Sequence, residues 1–100
     1  MPDLSVVAVL VAQPGQESVL RDALVALVPP TLREDGCLGY ELNESAAAPG
    51  TFVTVERWRG QEDLDAHLQT PHVAQAFASA GEALAAAPAI HPLVPVPTGG

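Results

Sequence analysis

Residues 4–12 read Leu4-Ser5-Val6-Val7-Ala8-Val9-Leu10-Val11-Ala12 and stop at Pro14-Gly15. The run is rich in β-branched residues and almost unbroken by polar ones. A strand with one wet face would alternate, so this pattern predicts a strand buried on both faces. Downstream, residues 17–28 carry Leu20, Ala23, Leu24, Leu27 and Val28 on one helical stripe, with Arg21 and Asp22 opposite. Pro29-Pro30 is expected to end that helix, leaving residues 31–34 as a short turn closed by Asp35-Gly36. Residues 37–45 and 51–58 read as two strands joined by a loose loop, Ala46-Ala47-Ala48-Pro49-Gly50.

Residues 61–69 read as a short helix. Thr70-Pro71 then restarts helix in the favoured order, a cap residue followed by proline, with a stripe of Val73, Ala76, Phe77, Ala80 and Leu84. An extended segment at 89–96 carries Pro92 and Pro95, which cannot donate to a ladder, so it is an edge, bulged or partly paired strand. The order β-α-β-β-α-β is the ferredoxin-like α+β arrangement, an antiparallel sheet with its helices on one face. Residues 1–96 form a single domain on this reading, and 97–100 a flexible tail. A first strand that is apolar on both sides then calls for a cover on the bare face, most simply a second copy of the chain.

Composition narrows the function classes. The chain has 100 residues, room for one core, and its hydrophobic share is 48% with only 4% aromatic, so that core is aliphatic. Mean hydropathy is +0.22, which excludes disorder. Four basic residues stand against twelve acidic ones, a formal net charge of −8. Such a surface repels phosphate backbones and anionic lipid, so neither nucleic acid nor a membrane is expected as partner. No stretch has the length of a membrane helix, ~20 residues, and Asp3 stands where a signal peptide would be basic. The lone Cys37 suits a reducing compartment, and a cytoplasmic protein is expected.

Chemistry concentrates on the third strand and the helices after it. Period two places Phe52, Thr54, Glu56 and Trp58 on one face, with Val53, Val55 and Arg57 on the other. A carboxylate among apolar walls is disposed toward proton transfer; an ion pair between Glu56 and a neighbouring Arg is the equal alternative. His67 shares the inward stripe of Leu64 and Leu68 and is a candidate acid or base. His72 falls in the first turn of the next helix, where a surface capping role is the simpler account. Tyr40 is a core residue or a pocket donor, depending on strand register. Metal ligation is not expected, since a helix break separates His67 from His72 and no Cys supports them. Gly36-Cys37-Leu38-Gly39 fails the dinucleotide-loop pattern.

Pro14-Gly15, Glu34-Asp35-Gly36-Cys37-Leu38-Gly39-Tyr40, Glu56-Arg57-Trp58 and Ala66-His67-Leu68-Gln69-Thr70-Pro71-His72 occur in that order. Together they resemble the antibiotic biosynthesis monooxygenase family, quinol-monooxygenase branch, from Val6 to about Phe77. The resemblance implies a dimeric α+β barrel, with a pocket between helices and sheet in each subunit. It also implies oxidation of a hydroquinone or polyketide-like phenol by dioxygen, without flavin, haem or metal. The candidate catalytic residues are His67 and Glu56, and the candidate substrate-binding residues are Trp58, Tyr40, His72 and Phe77. Anthrone-oxidising relatives carry Asn, Tyr and Arg where this chain has Thr54, Leu64 and Ala78. An isomerase or enolisation catalyst using the same His67 and Glu56, or a non-catalytic binding dimer, would share the fold.

Overall fold

The computed structural model describes residues 3–99. Its elements run β1 (Leu4–Val11), α1 (Glu17–Leu32), β2 (Cys37–Glu44), β3 (Thr51–Trp58), α2 (Gln61–His67), α3 (Pro71–Ala80), a 3₁₀ turn at Gly81–Ala83 and β4 (Ala89–Pro92). The strands form one sheet in the order β2-β3-β1-β4, every pair antiparallel. This is the ferredoxin-like α+β fold, with the second helical slot split into α2 and α3. Of the expected single domain and its tail, Met1, Pro2 and Gly100 lie outside the described residues.

One face of the sheet is built from alternate residues. Val6, Ala8, Leu10 and Ala12 are buried, as are Phe52, Thr54, Glu56 and Trp58. Leu20, Leu24 and Leu27 of α1, with Val73 and Ala80 of α3, pack on the upper part of that face. Each such leucine contributes about 1.5–3 kcal/mol when taken fully out of water. A second cluster of Val6, Tyr40, Trp58 and Leu64 lies under α2. The sheet therefore holds two cores side by side.

Two expectations are corrected and a third is met. α1 does not end at Pro29-Pro30 but runs through both to Leu32. Proline's fixed φ is compatible with a helix; what is lost is two donors and some clearance to the carbonyls four residues back. Fully buried Thr31 gives the continued turn a packing reason. β1 is not buried on both faces within the chain: Val7 and Val9 are half-buried, while Ser5 and Val11 are exposed. The helices all lie on the other side, so no described helix covers those valines. The last segment is, as expected, an edge strand and only partly paired: of residues 89–96 it pairs with β1 over Ala89–Pro92. One further backbone bond, Leu93 N–H to the Ser5 carbonyl at 2.9 Å, follows it. Pro92 and Pro95 remove the donors that would continue the ladder.

Candidate active site

Strand register decides which polar side chains meet. Glu56 is paired with Val6 on one side and Tyr40 on the other, so all three point to the helix-covered face at one level. Trp58 is one step further along, opposite Leu4 and Cys37. Tyr40 and Glu56 are thus neighbours under the helices, which the sequence alone left open.

Glu56 is 5% exposed, and it has no Arg partner. Its Oε1 accepts from the indole Nε1–H of Trp58 at 2.8 Å, and its Oε2 accepts from the Thr54 hydroxyl at 2.6 Å. The expected ion pair with an Arg is corrected: the described Arg pairs are Arg21–Glu44, Arg57–Asp3 and Arg59 with Asp35 and Asp63, all at the surface. Period two in β3 puts both donors on the same face as the carboxylate, so the strand satisfies its own buried charge.

His67 is 4% exposed, at the last position of α2. Its ring lies 4.8 Å from the Trp58 ring and 5.8 Å from Tyr40, centroid to centroid. Nδ1 lies 2.6 Å from Oε2 of Glu34. A carboxylate oxygen only accepts, so Nδ1 carries a proton, and in the tautomer with its single proton there Nε2 carries a lone pair. Nε2 has no partner among the described residues. Nor is it among the fully buried unpaired polar atoms, where Thr31 Oγ1 stands alone.

Glu34 is the site residue that sequence reasoning missed; Thr70 reads as a helix cap, and it is one, but its bond to the His67 carbonyl was not foreseen. Glu34 was assigned to a short turn; with α1 carried through the prolines, it lies two residues past the helix end and reaches His67. The available signal was Gly36, whose φ of +108° marks the true turn. A Cβ there would sit 2.3 Å from the Asp63 carboxyl, so the glycine also lets α2 close against this turn. His72 is not a surface cap: its Nε2 lies 2.7 Å from the same Glu34 oxygen. The helix break, offered above as a reason to keep the two histidines apart, is what brings both rings onto one carboxylate. Thr70 holds that break, donating to the His67 carbonyl at 2.7 Å and accepting from Val73 N–H at 3.3 Å. Thr70→Ala is expected to cost about 1 kcal/mol, the usual value of a helix N-cap. It should also lower activity by more than that loss of fold explains, because both histidines lose their anchor; urea midpoints and turnover on one sample separate the two effects.

Tyr40, Thr54, Glu56 and His67 line one end of a half-open cavity between α1, α2, α3 and the sheet, a space of about 650 Å³ with the solvent in its mouth included. That end is polar; the rest is aliphatic, with Phe77 near the mouth and 45% exposed. Neither Trp58 nor His72 lines it. Trp58 is completely buried and acts on the cavity through Glu56 and His67. No Arg lines the cavity, and the chain has no Lys. An apolar pocket with one polar end and no cation offers nothing to hold an anionic group.

Burial pushes the Tyr40 hydroxyl well above its ordinary range, and the charge of Glu56 adds to the effect. Tyr40 is therefore a donor and not a base. Burial likewise raises the Cys37 thiol. Both groups keep their protons in the folded chain at pH values where the unfolded chain has lost them. The unfolded state then binds fewer protons, so this stability is complete below about pH 8.5 and falls as pH climbs past about 10. Tyr40→Phe is expected to flatten that alkaline fall, read as urea midpoints across the alkaline range. Parallel curves for the variant and the parent would disprove it.

Known proteins share this fold. The family model described as antibiotic biosynthesis monooxygenase matches residues 3–79. "Putative monooxygenase Rv0793" of Mycobacterium tuberculosis is 39% identical over 93 residues, covering 93% of this chain and 91% of that protein. "Probable quinol monooxygenase YgiN" of Escherichia coli is 35% identical over 80 residues, covering 70% of this chain and 77% of that one. The solved structure of Rv0793 superposes with a TM-score of 0.85 at 36% identity, over 99% of this chain and 100% of that one. That of PA3566 from Pseudomonas aeruginosa gives 0.86 at 32% identity, over 97% of each chain. With its family model matched over most of its length and its fold shared end to end with these relatives, the chain belongs to the antibiotic biosynthesis monooxygenase family.

Proposed function

We propose that this chain is a cofactor-independent monooxygenase that oxidises a hydroquinone or polyketide-like phenolic substrate with dioxygen. The observation that carries the reading is His67: Nδ1–H is tied to Glu34, and the Nε2 lone pair is left for an apolar cavity. In such a pocket the substrate hydroxyl or its acidic C–H lies against Nε2, which takes the proton. The Glu34 carboxylate faces the positive charge that the ring acquires. Tyr40 donates to the oxygen on which negative charge develops. Glu56 keeps the Trp58 and Thr54 donors engaged and makes that end of the cavity unwelcoming to anions. Phe77 covers the mouth. The electron-rich anion passes one electron to dioxygen, and recombination forms a carbon-bound peroxide. His67 returns its proton to the outer oxygen, giving a hydroperoxide. The same carbon then gives up its remaining hydrogen as a proton, the O–O bond breaks, and that proton joins the departing hydroxide as water while the carbon becomes a carbonyl.

The assay is oxygen uptake by chelator-treated protein with naphthohydroquinones and an anthrone. Uptake above the spontaneous rate is the expected result. Turnover that persists without oxygen would replace this reading with an isomerase or enolisation enzyme using the same base and donor. Ligand binding with no turnover in either atmosphere would leave a binding module.

The reading includes a homodimer. Val7, Val9 and Val53 are half-buried on the sheet face opposite the helices, and Val11 and Val55 are 40% and 46% exposed there. A second copy of that face would cover them. Light scattering at twice the chain mass is the expected result, and a monomer at micromolar concentration would remove this part. A cytoplasmic setting fits the free thiol of Cys37. No described helix is long and apolar enough to cross a membrane.

A further inference from the structure

Glu34, His67 and His72 come from the turn after α1, the end of α2 and the start of α3. Their donors nevertheless converge. Nδ1 of His67 and Nε2 of His72 stand 2.6 and 2.7 Å from one Glu34 oxygen, and the three atoms lie within 4.8 Å of one another. Two imidazole nitrogens and one carboxylate oxygen are the donor set that borderline divalent cations prefer. The side chains are 5%, 23% and 14% exposed for His67, His72 and Glu34, so a bound cation would be largely out of bulk water. Of the three residues only His67 lines the cavity, so the cation would sit outside the space the substrate occupies.

We propose that this cluster binds a zinc-class divalent cation, and that occupancy turns the cavity-facing nitrogen of His67 from an acceptor into a donor. In the metal-free protein each ring points an N–H at the carboxylate. A cation takes the place of those two protons, with metal–nitrogen and metal–oxygen bonds of about 2.0–2.2 Å. Nitrogens sharing one ion stand at most about 4.2 Å apart on those bond lengths, so the rings draw inward while the carboxylate oxygen moves back. His72 permits this, since it is the partly exposed second residue of α3, just beyond the break at residues 68–70. An imidazole that ligates through Nδ1 keeps its single proton on Nε2. No proton is lost; each neutral ring shifts its own to the other nitrogen. His67 then presents N–H to the cavity and cannot take a proton from a substrate.

The cation site stands on the donor geometry alone, and only its effect on turnover rests on the function proposed above. The test is a Zn²⁺ titration of metal-free protein against a chromogenic chelator, with His72→Ala, His72→Gln and His91→Ala alongside. His91 is the control, since it pairs with Val7 on the opposite face of the sheet. One zinc per chain is expected, bound at least about tenfold more weakly in both His72 variants and unchanged in His91→Ala. Equal affinity in the parent and both His72 variants would overturn the site and assign the zinc to acidic surface groups. Co²⁺ in place of Zn²⁺ should give a visible ligand-field band in the parent that His72→Ala lacks. The proton shift is read without any substrate, from the ¹⁵N resonances of His67. Nε2 moves from an unprotonated to a protonated position when zinc is added, and no movement would overturn the switch. If a substrate is turned over, saturating zinc stops it; undiminished turnover in the zinc-loaded protein would also overturn the switch.

Discussion

Replacing His67 by Ala is expected to lower kcat by ~10²–10⁴-fold on any hydroquinone the protein turns over, the usual loss for a positioned acid or base. KM should move far less, because most of the cavity is aliphatic and the ring contributes one wall near its polar end. That split identifies an interaction made in the transition state, not a lost binding contact. The variant also leaves Glu34 with His72 as its remaining partner, so folding must be checked beside activity. Glu34→Gln is the companion. Its amide oxygen can still accept from Nδ1–H, so the ring stays in place while the charge facing it is removed, and a smaller fall in kcat is expected. An unchanged kcat in His67→Ala would take the base role from this residue and leave Glu56 as the remaining candidate.

Trp58→Ala should produce the largest loss of stability, about 3–5 kcal/mol. Trp58 is completely buried, with Val6, Tyr40 and Leu64 around it and Leu4, Val28 and Cys37 packed against the cluster. Two losses combine: the cavity left by the ring, and the Nε1–H that Glu56 Oε1 accepts. For a domain of this size the total stability is about 5–15 kcal/mol, so the variant stands near the edge of folding. Trp58→Phe separates the two. It keeps most of the packing but leaves one carboxylate oxygen short of a donor, at a cost of about 1–3 kcal/mol. Urea midpoints give both values, and a loss below about 1 kcal/mol for Trp58→Ala would show that the cluster can collapse around the gap.

Much of the fold was legible because periodicity is a local property. The alternation in residues 51–58 places Glu56 and Trp58 on one face whatever the partner strand does, and Thr70-Pro71 marks a helix start by its own chemistry. Local rules erred where packing outweighed them. Pro29-Pro30 reads as a stop, yet buried Thr31 and the Gly36 turn carry α1 onward to Leu32. The unbroken apolar pattern of β1 reads as doubly buried, but a single chain supplies helices to only one side of the sheet.

By itself the sequence determined the order of elements, the inward placement of Glu56, Trp58 and His67, and a net charge of −8. Each of these follows from spacing along one element or from a sum over residues. The tertiary structure decided what those side chains touch. Tyr40 faces Glu56 because of a register that passes through the irregular pairing between Cys37 and Gly39. Glu34 meets His67 and His72 across 33 and 38 residues of chain because three elements end at one place. No local pattern encodes such a meeting. It is set by how helices and sheet pack, and that depends on the whole chain.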